Sequence, residues 1–394
     1  MPHTWDDRRA RFVAGARSGD PLALAQLLVA TPSVNPALDP GGAGEEEIAG
    51  LVAELLEEWG LRAEVRPVAP GRSNVVALLE GEGPVLMLNG HLDTVGVEGM
   101  VVPPFEAEIV ASRLAGRGAA DMKGGVAALL AAAARLASGG PRPNLVVALT
   151  SDEEHASLGM QAIVREGPRA DLAVVCEPTG LAVMPAHKGF VWVKASFRGR
   201  AAHGSRPDLG VDAIRHAGLF LAALDEYADE LASRTPHPLL GLGSIHAGTI
   251  AGGTAPSVYP GHCEVQLECR TMPGTDSRGV LADLGRIAET LATREPALDV
   301  SLEVTLERPG TEVDAASPLV HRLLAASRAH GVRPAVEGMS AWVDAAFLNE
   351  AGIPAVCYGP GSTEQAHTAD EWIDTAEIAT CAAVLETFAR GLAR

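Results

Sequence analysis

Val85-Leu86-Met87-Leu88-Asn89-Gly90-His91-Leu92-Asp93 is the stretch whose reading decides the fold. The apolar run Val85–Leu88 is short and ends on Asn and Gly, as a strand buried on both faces does. A histidine and an aspartate follow its end directly. Val75–Leu79, Leu145–Leu149 and Leu172–Val175 are similar short apolar runs bounded by Gly, Pro, Asn or Asp. Between them, Gly125–Ser138 is apolar nearly all round, which predicts a helix packed on both sides. Upstream, Glu46–Trp59 places Ile48, Leu51, Val52, Leu55, Leu56 and Trp59 at helical spacing and stops at Gly60. Strands alternating with helices predict an α/β fold, a mixed, mostly parallel sheet flanked by helices.

The middle of the chain has a different rhythm. Phe190–Phe197 and Glu264–Arg270 read as strands, and Asp212–Ala232 and Arg278–Thr293 as helices. In Leu298–Leu306 the apolar residues Leu298, Val300, Leu302, Val304 and Leu306 alternate with Asp299, Ser301, Glu303 and Thr305, the mark of a half-exposed sheet. Beyond Pro309 the pattern returns to helix (Pro318–His330), strand (Ala355–Tyr358) and helix (Ala376–Gly391). The expected organisation is a first domain in two segments, 1–187 and 307–394, with an α+β domain inserted at 188–306.

Composition bounds the function. The chain has 394 residues, 47% hydrophobic and 21% charged, which is globular and long enough for two or three domains. Its 31 Lys and Arg against 50 Asp and Glu give a net charge of −19, which argues against nucleic acid or an anionic membrane as partner. The opening MPHTWDDRRARF lacks a secretory pattern, and the most apolar stretch, Gly124–Ala134, is too short to span a bilayer, so a soluble cytoplasmic protein is expected. Cys176, Cys263, Cys269, Cys357 and Cys381 contain no CxxC pair, which disfavours both a disulfide framework and a thiolate metal site.

The chemistry gathers after the strands. Gly90-His91-Leu92-Asp93 follows one, Thr150-Ser151-Asp152-Glu153-Glu154 another, and Cys176-Glu177-Pro178 a third. Gly118–Gly125, which contains Asp121, precedes the Ala-rich helix, and Ala366-His367-Thr368 lies in a Gly-rich loop after the last strand. Ligands of open α/β sheets collect beyond the carboxyl ends of the strands, so these segments are expected in one crevice. Taken singly, each residue has an ordinary explanation as a turn former, a cap or a surface group. Together, imidazoles and carboxylates without thiolates suit zinc and related divalent ions. Two histidines with three or four carboxylates are too many for one tetrahedral ion and suit a pair about 3.5–4 Å apart. Asp93 is placed to accept the other imidazole N–H of His91.

These stretches, with Thr31–Pro36 (TPSVNP), Gly116–Gly125 (GRGAADMKGG) and His367–Trp372 (HTADEW), resemble the two-zinc metallopeptidase family that includes acetylornithine deacetylase, succinyl-diaminopimelate desuccinylase, aminoacylase and glutamate carboxypeptidase. The resemblance runs over nearly the whole chain and implies a zinc-exopeptidase-like fold with a lid and dimerisation domain. It implies that His91 and Glu177 bind one metal, Glu154 and His367 the other, and that Asp121 bridges them. Asp93 would orient His91, and Glu153 would be the general base. It further implies that His203, in Gly199–Ser205, stabilises the tetrahedral oxyanion, often from the partner subunit. Arg270 would grip a substrate carboxylate. Gly359 and Gly361 would present backbone N–H groups to substrate or turn the chain. At Ser257 the family has Asn, whose amide reaches further, so a substrate contact there departs from the family pattern.

The expected activity is a metal-dependent amide hydrolase that removes an N-acyl group from an amino-acid-like small molecule. It would use two divalent ions, zinc above cobalt or manganese, and form a homodimer through the lid. Glu rather than Asp at 177 resembles the deacylase side of the family. Two alternatives use the same frame: a dipeptidase or glutamate-type carboxypeptidase, and a non-catalytic ligand-binding descendant. A phosphate site on the Gly-rich runs fits neither GxxxxGK[ST] nor GxGxxG.

Overall fold

The computed structural model describes residues 5–333 and 335–393 and divides into two compact units. The first comprises Met1–Pro185, Val313–Glu337 and Val343–Arg394, the second Ala186–Glu312 and Gly338–Trp342. The return of Gly338–Trp342 to the second unit was not foreseen in the sequence.

The first unit is built on a mixed sheet. Its parallel centre runs Asn144–Thr150, Val85–His91, Leu172–Val175, Ala355–Cys357, and the antiparallel strands Arg72–Leu79 and Arg62–Ala69 extend one side. These central strands are buried along almost their whole length, which is why they read as unbroken apolar runs. The helix Gly124–Ala137 is buried nearly all round and packs against Pro21–Val29 and Thr375–Leu392, so its Ala and Gly composition permits close approach. Gly125 shows how close: a Cβ there would lie 1.9 Å from the Cys176 carbonyl oxygen. The helix Glu46–Glu58 turns its apolar stripe to the strands Arg62–Ala69 and Arg72–Leu79.

Because the central strands are parallel, their carboxyl ends share one edge. His91 stands opposite Thr150 in the register and Asn89 opposite Val175. The segments that begin at His91, Thr150 and Cys176 therefore leave the sheet side by side.

The second unit has a four-stranded antiparallel sheet in the order Ser244–Gly252, His262–Thr271, Gly189–Arg198, Asp299–Arg308. The helices Ala213–Ser233 and Ser277–Ala292 cover one face, where Phe197 meets Phe220 edge-on at 5.5 Å between ring centroids. The alternation expected to run through Leu306 is interrupted. A register shift between Val304, opposite Val193, and Leu306, opposite Trp192, moves Leu306 to the other face of the sheet. Leu298, Val300, Leu302 and Val304 pack on the helices and Leu306 does not. A bulge inserts one residue and reverses every side chain beyond it, which hydropathy spacing cannot register.

Candidate metal centre

Ligand atoms of His91, Asp121 and Glu154 all lie within 4.8 Å of one another. His91 Nε2 is 3.1 Å from Asp121 Oδ1. His367 Nε2 is 3.0 Å from Glu154 Oε2 and 3.5 Å from Asp121 Oδ2. Asp121 therefore stands between the two imidazoles. Glu177 is buried two residues beyond its strand, and its Oε1 has no hydrogen-bond partner among the described residues.

The turn that carries Glu153 and Glu154 is held from behind. The amide N–H groups of Glu153 and Glu154 donate to Asp93 Oδ1 (3.1 Å) and Oδ2 (3.2 Å). Asn35 Nδ2 donates to Asp93 Oδ2 at 2.8 Å and to Asp152 Oδ1 at 3.1 Å. Arg72 donates to both oxygens of Glu45 at 2.6 Å and reaches Asp152 Oδ1 at 3.0 Å. Asp152 has φ +67, a left-handed conformation that a non-glycine residue holds only when its surroundings impose it.

Asp93 meets the His91 ring through its main chain and has further contacts through its carboxylate. The His91 ring pairs through Nδ1 with the Asp93 backbone oxygen at 2.9 Å, while the Asp93 carboxylate is 3.7 Å from that nitrogen. The carboxylate instead accepts from the main chain of the Glu153–Glu154 turn. The Gly359 N–H donates to Thr179 Oγ1 at 3.0 Å and the Gly361 N–H to Glu377 Oε2 at 2.8 Å. Gly361, with φ +82, turns the chain.

His203, Ser257 and Arg270 belong to the second unit. His203 is exposed, its Nδ1 is 2.8 Å from Ser205 Oγ, and its loop is tied to the next by Gly204 N–H donating to the Ser257 carbonyl at 2.7 Å. Arg270 Nε donates to Glu268 at 2.7 Å, with its guanidinium 5.4 Å from the Phe190 ring centroid.

The model of peptidase family M20/M25/M40 matches residues 87–391. The chain belongs to peptidase family M20/M25/M40. An acetylornithine deacetylase of Myxococcus xanthus is 33% identical over 351 residues, covering 86% of this chain and 87% of the relative. Among solved structures, an aminopeptidase from Bacillus cereus superposes with TM-score 0.78 at 21% identity, covering 98% of this chain and 99% of that one. A dinuclear metal-binding M20 peptidase from Bacillus subtilis superposes with TM-score 0.73 at 16% identity, covering 95% and 98%.

The electrostatics of this M20 chain fit a cation-binding site. Five carboxyl groups, Asp121, Glu153, Glu154, Glu177 and Asp344, lie within electrostatic reach of two imidazoles, His91 and His367. Burial and then neighbouring charges push Glu153 well above the usual carboxylate range; the repelling neighbours are Glu177, Asp344 and Glu154. Burial likewise raises Glu177 to about 8 and Asp344 to about 7. Hydrogen bonds to Asp121 and Glu154 raise His367 to about 10. Without other cations, protons must neutralise this excess of carboxylate; divalent ions would do so directly. The unpartnered Glu177 oxygen and the clustered imidazole and carboxylate donors are what such ions require.

Several contributors were missed in the sequence. Asp344 is buried and takes a hydrogen bond from Thr150 Oγ1 at 3.2 Å, and its Oδ1 has no hydrogen-bond partner among the described residues. Arg72 and Glu45 sit in no motif. Asn35 and Glu371 lie inside the quoted stretches TPSVNP and HTADEW without having been singled out.

Proposed function

We propose that this M20 enzyme is a metal-dependent amide hydrolase that removes an acyl group from the nitrogen of an amino-acid-like substrate. What carries the reading is the convergence of His91, Asp121 and Glu154 within 4.8 Å at the carboxyl edge of the parallel strands. The 33% identity to an acetylornithine deacetylase over most of both chains supports the substrate class. His91 and Glu177 would hold one divalent ion, Glu154 and His367 a second, and Asp121 would serve both; zinc suits this imidazole and carboxylate set, as cobalt and manganese do.

Divalent ions at these donors supply the positive charge that polarises an amide carbonyl and acidifies a water molecule. Glu153 accepts a proton from the attacking water and delivers it to the amine nitrogen as the C–N bond breaks. The products are a carboxylate and a free amine. The paired amide contacts to Asp93 keep the Glu153 main chain fixed while its carboxyl gains and loses that proton. His203 would stabilise the oxyanion, from its own chain or a partner's, and Arg270 would take the substrate carboxylate; Ser257 borders the His203 loop. The strand Ser244–Gly252 is exposed along almost all its length at the sheet edge, with Ile250 54% exposed, which supports a homodimer through that edge, checked by light scattering. Among the described residues no helix is long and apolar enough to cross a membrane. The free, buried cysteines are in keeping with a cytoplasmic location.

The deciding experiment replaces Glu153 by Ala. Metal content should stay near two ions per chain while turnover falls by about 10²–10⁴-fold. Unchanged turnover removes Glu153 as the base. A panel of N-acyl amino acids and dipeptides under defined metal loading tests the substrate class; hydrolysis of dipeptides alone would move the enzyme to the dipeptidase side.

A further inference from the structure

Glu371 is buried at 1% exposure, and each of its carboxylate oxygens has two donors. Oε2 accepts from Arg117 Nη1 at 2.7 Å and Gly118 N–H at 3.0 Å, and Oε1 from Ala120 N–H at 2.9 Å and Asp121 N–H at 3.1 Å. The amides converge because the chain turns left-handed at Gly118, φ +80, where a Cβ would lie 2.6 Å from Thr94 Cγ2. The main chain of Glu371 is held as well. Its carbonyl accepts Gly116 N–H at 3.1 Å, and the next residue, Trp372, pairs with Ala115. Arg117 is anchored in turn by Nε donating to the Gly96 carbonyl at 2.9 Å.

Glu371 follows His367 by only four residues, so one side chain joins the loop of His367 to the backbone of Asp121. The strand pairing of Trp372 with Ala115 holds the two segments together, and the Glu371 carboxylate reaches on to the Asp121 N–H itself. Asp121 is repelled by Glu154, and its own carboxylate must stand between His91 and His367. We infer that Glu371 is a positioning residue: its carboxylate clamps the 117–121 turn, and so holds Asp121 ready between the two imidazoles before any cation arrives. The inference rests on the metal-centre reading above.

The test uses the full chain, stripped of metal, in the wild type and in Glu371→Gln, Glu371→Asp and Ser327→Ala. Gln keeps the size of the side chain but turns one oxygen into a donor facing donors; Asp keeps the charge but falls short of the turn. Ser327 is a buried hydroxyl on the helix Pro318–Ala329, bonded to the Leu323 carbonyl at 2.9 Å, and serves as the control. Zn²⁺ affinity is read by competition with a chromophoric chelator, and site geometry by the absorption spectrum of the Co²⁺-loaded protein. Glu371→Gln should bind Zn²⁺ about 10–100-fold more weakly and shift the Co²⁺ bands. In the loaded enzyme kcat should fall while KM stays within about twofold. Glu371→Asp should move in the same direction by less, and Ser327→Ala should match the wild type. If Glu371→Gln does not fold, judged by circular dichroism, Glu371→Asp decides. Wild-type affinity and an unchanged spectrum in a folded Glu371 variant overturn the clamp. A wild type that takes up no divalent ion overturns the metal centre instead, so the two failures are distinct.

Discussion

The two units treat charge in opposite ways. In the first, charged side chains are buried and interlocked: Arg72 with Glu45 and Asp152, Arg117 with Glu371, and Lys123, fully buried, donating to the Thr31 carbonyl at 2.7 Å. In the second, ion pairs such as Arg215–Glu295, Arg206–Asp208 and Lys194–Glu303 lie on the surface, and the core is apolar. Surface pairs contribute little to stability, whereas a buried charge is costly unless its partners are all in place. Buried networks are therefore weak evidence for stability and better evidence that something must be held in place. In the first unit they surround the turns at 117–121 and 152–154, which carry the proposed ligands and base.

That contrast can be broken at several points. The largest effect is expected from Arg72→Met, which leaves Glu45 and Asp152 buried without their guanidinium. Urea denaturation should show a loss of about 3–5 kcal/mol, with reduced activity because the Glu153–Glu154 turn loosens. A loss below 1 kcal/mol would mean the network does not constrain that turn.

His187, at the start of the second unit, offers a pH test of intermediate size. Burial pushes its imidazole down to about 4, so it stays neutral in the folded protein. The unfolded chain, titrating near 6.5, binds the extra proton first, so stability falls as pH drops from 6.5 towards 4, by at most about 3 kcal/mol. His187→Gln should flatten that part of the stability profile against pH; an unchanged slope would remove His187 as its cause. The smallest effect is expected from Arg215→Ala at the surface, where thermal unfolding should not shift beyond error. A clear fall in Tm there would blur the distinction between the units.

Much of the centre was legible because its signals are local. His91, Glu153, Glu154 and Glu177 each follow an apolar run within a few residues, and a run of that length ends at the sheet edge whatever surrounds it. Arg72 was not legible. It lies within a strand, and its partners Glu45 and Asp152 stand 27 and 80 positions away. Proximity in sequence points the Asp93 carboxylate to His91, yet the Asp93 backbone oxygen is better placed and the carboxylate turns to the amides of residues 153 and 154. The partners of the Gly359 and Gly361 amides, Thr179 and Glu377, stand 180 and 16 positions away, beyond any local signal.

The sequence by itself determined which donor types stand at the ends of which strands, and with them the chemistry on offer. Strand length, hydropathy period and turn residues are properties of short segments, so they survive without a fold. Tertiary structure alone decided which atoms meet: the register shift that turns Leu306 over, and the partnership of Glu371 with Asp121 across 250 positions. Such pairings depend on how parallel strands align and how turns close, and no short segment contains that information.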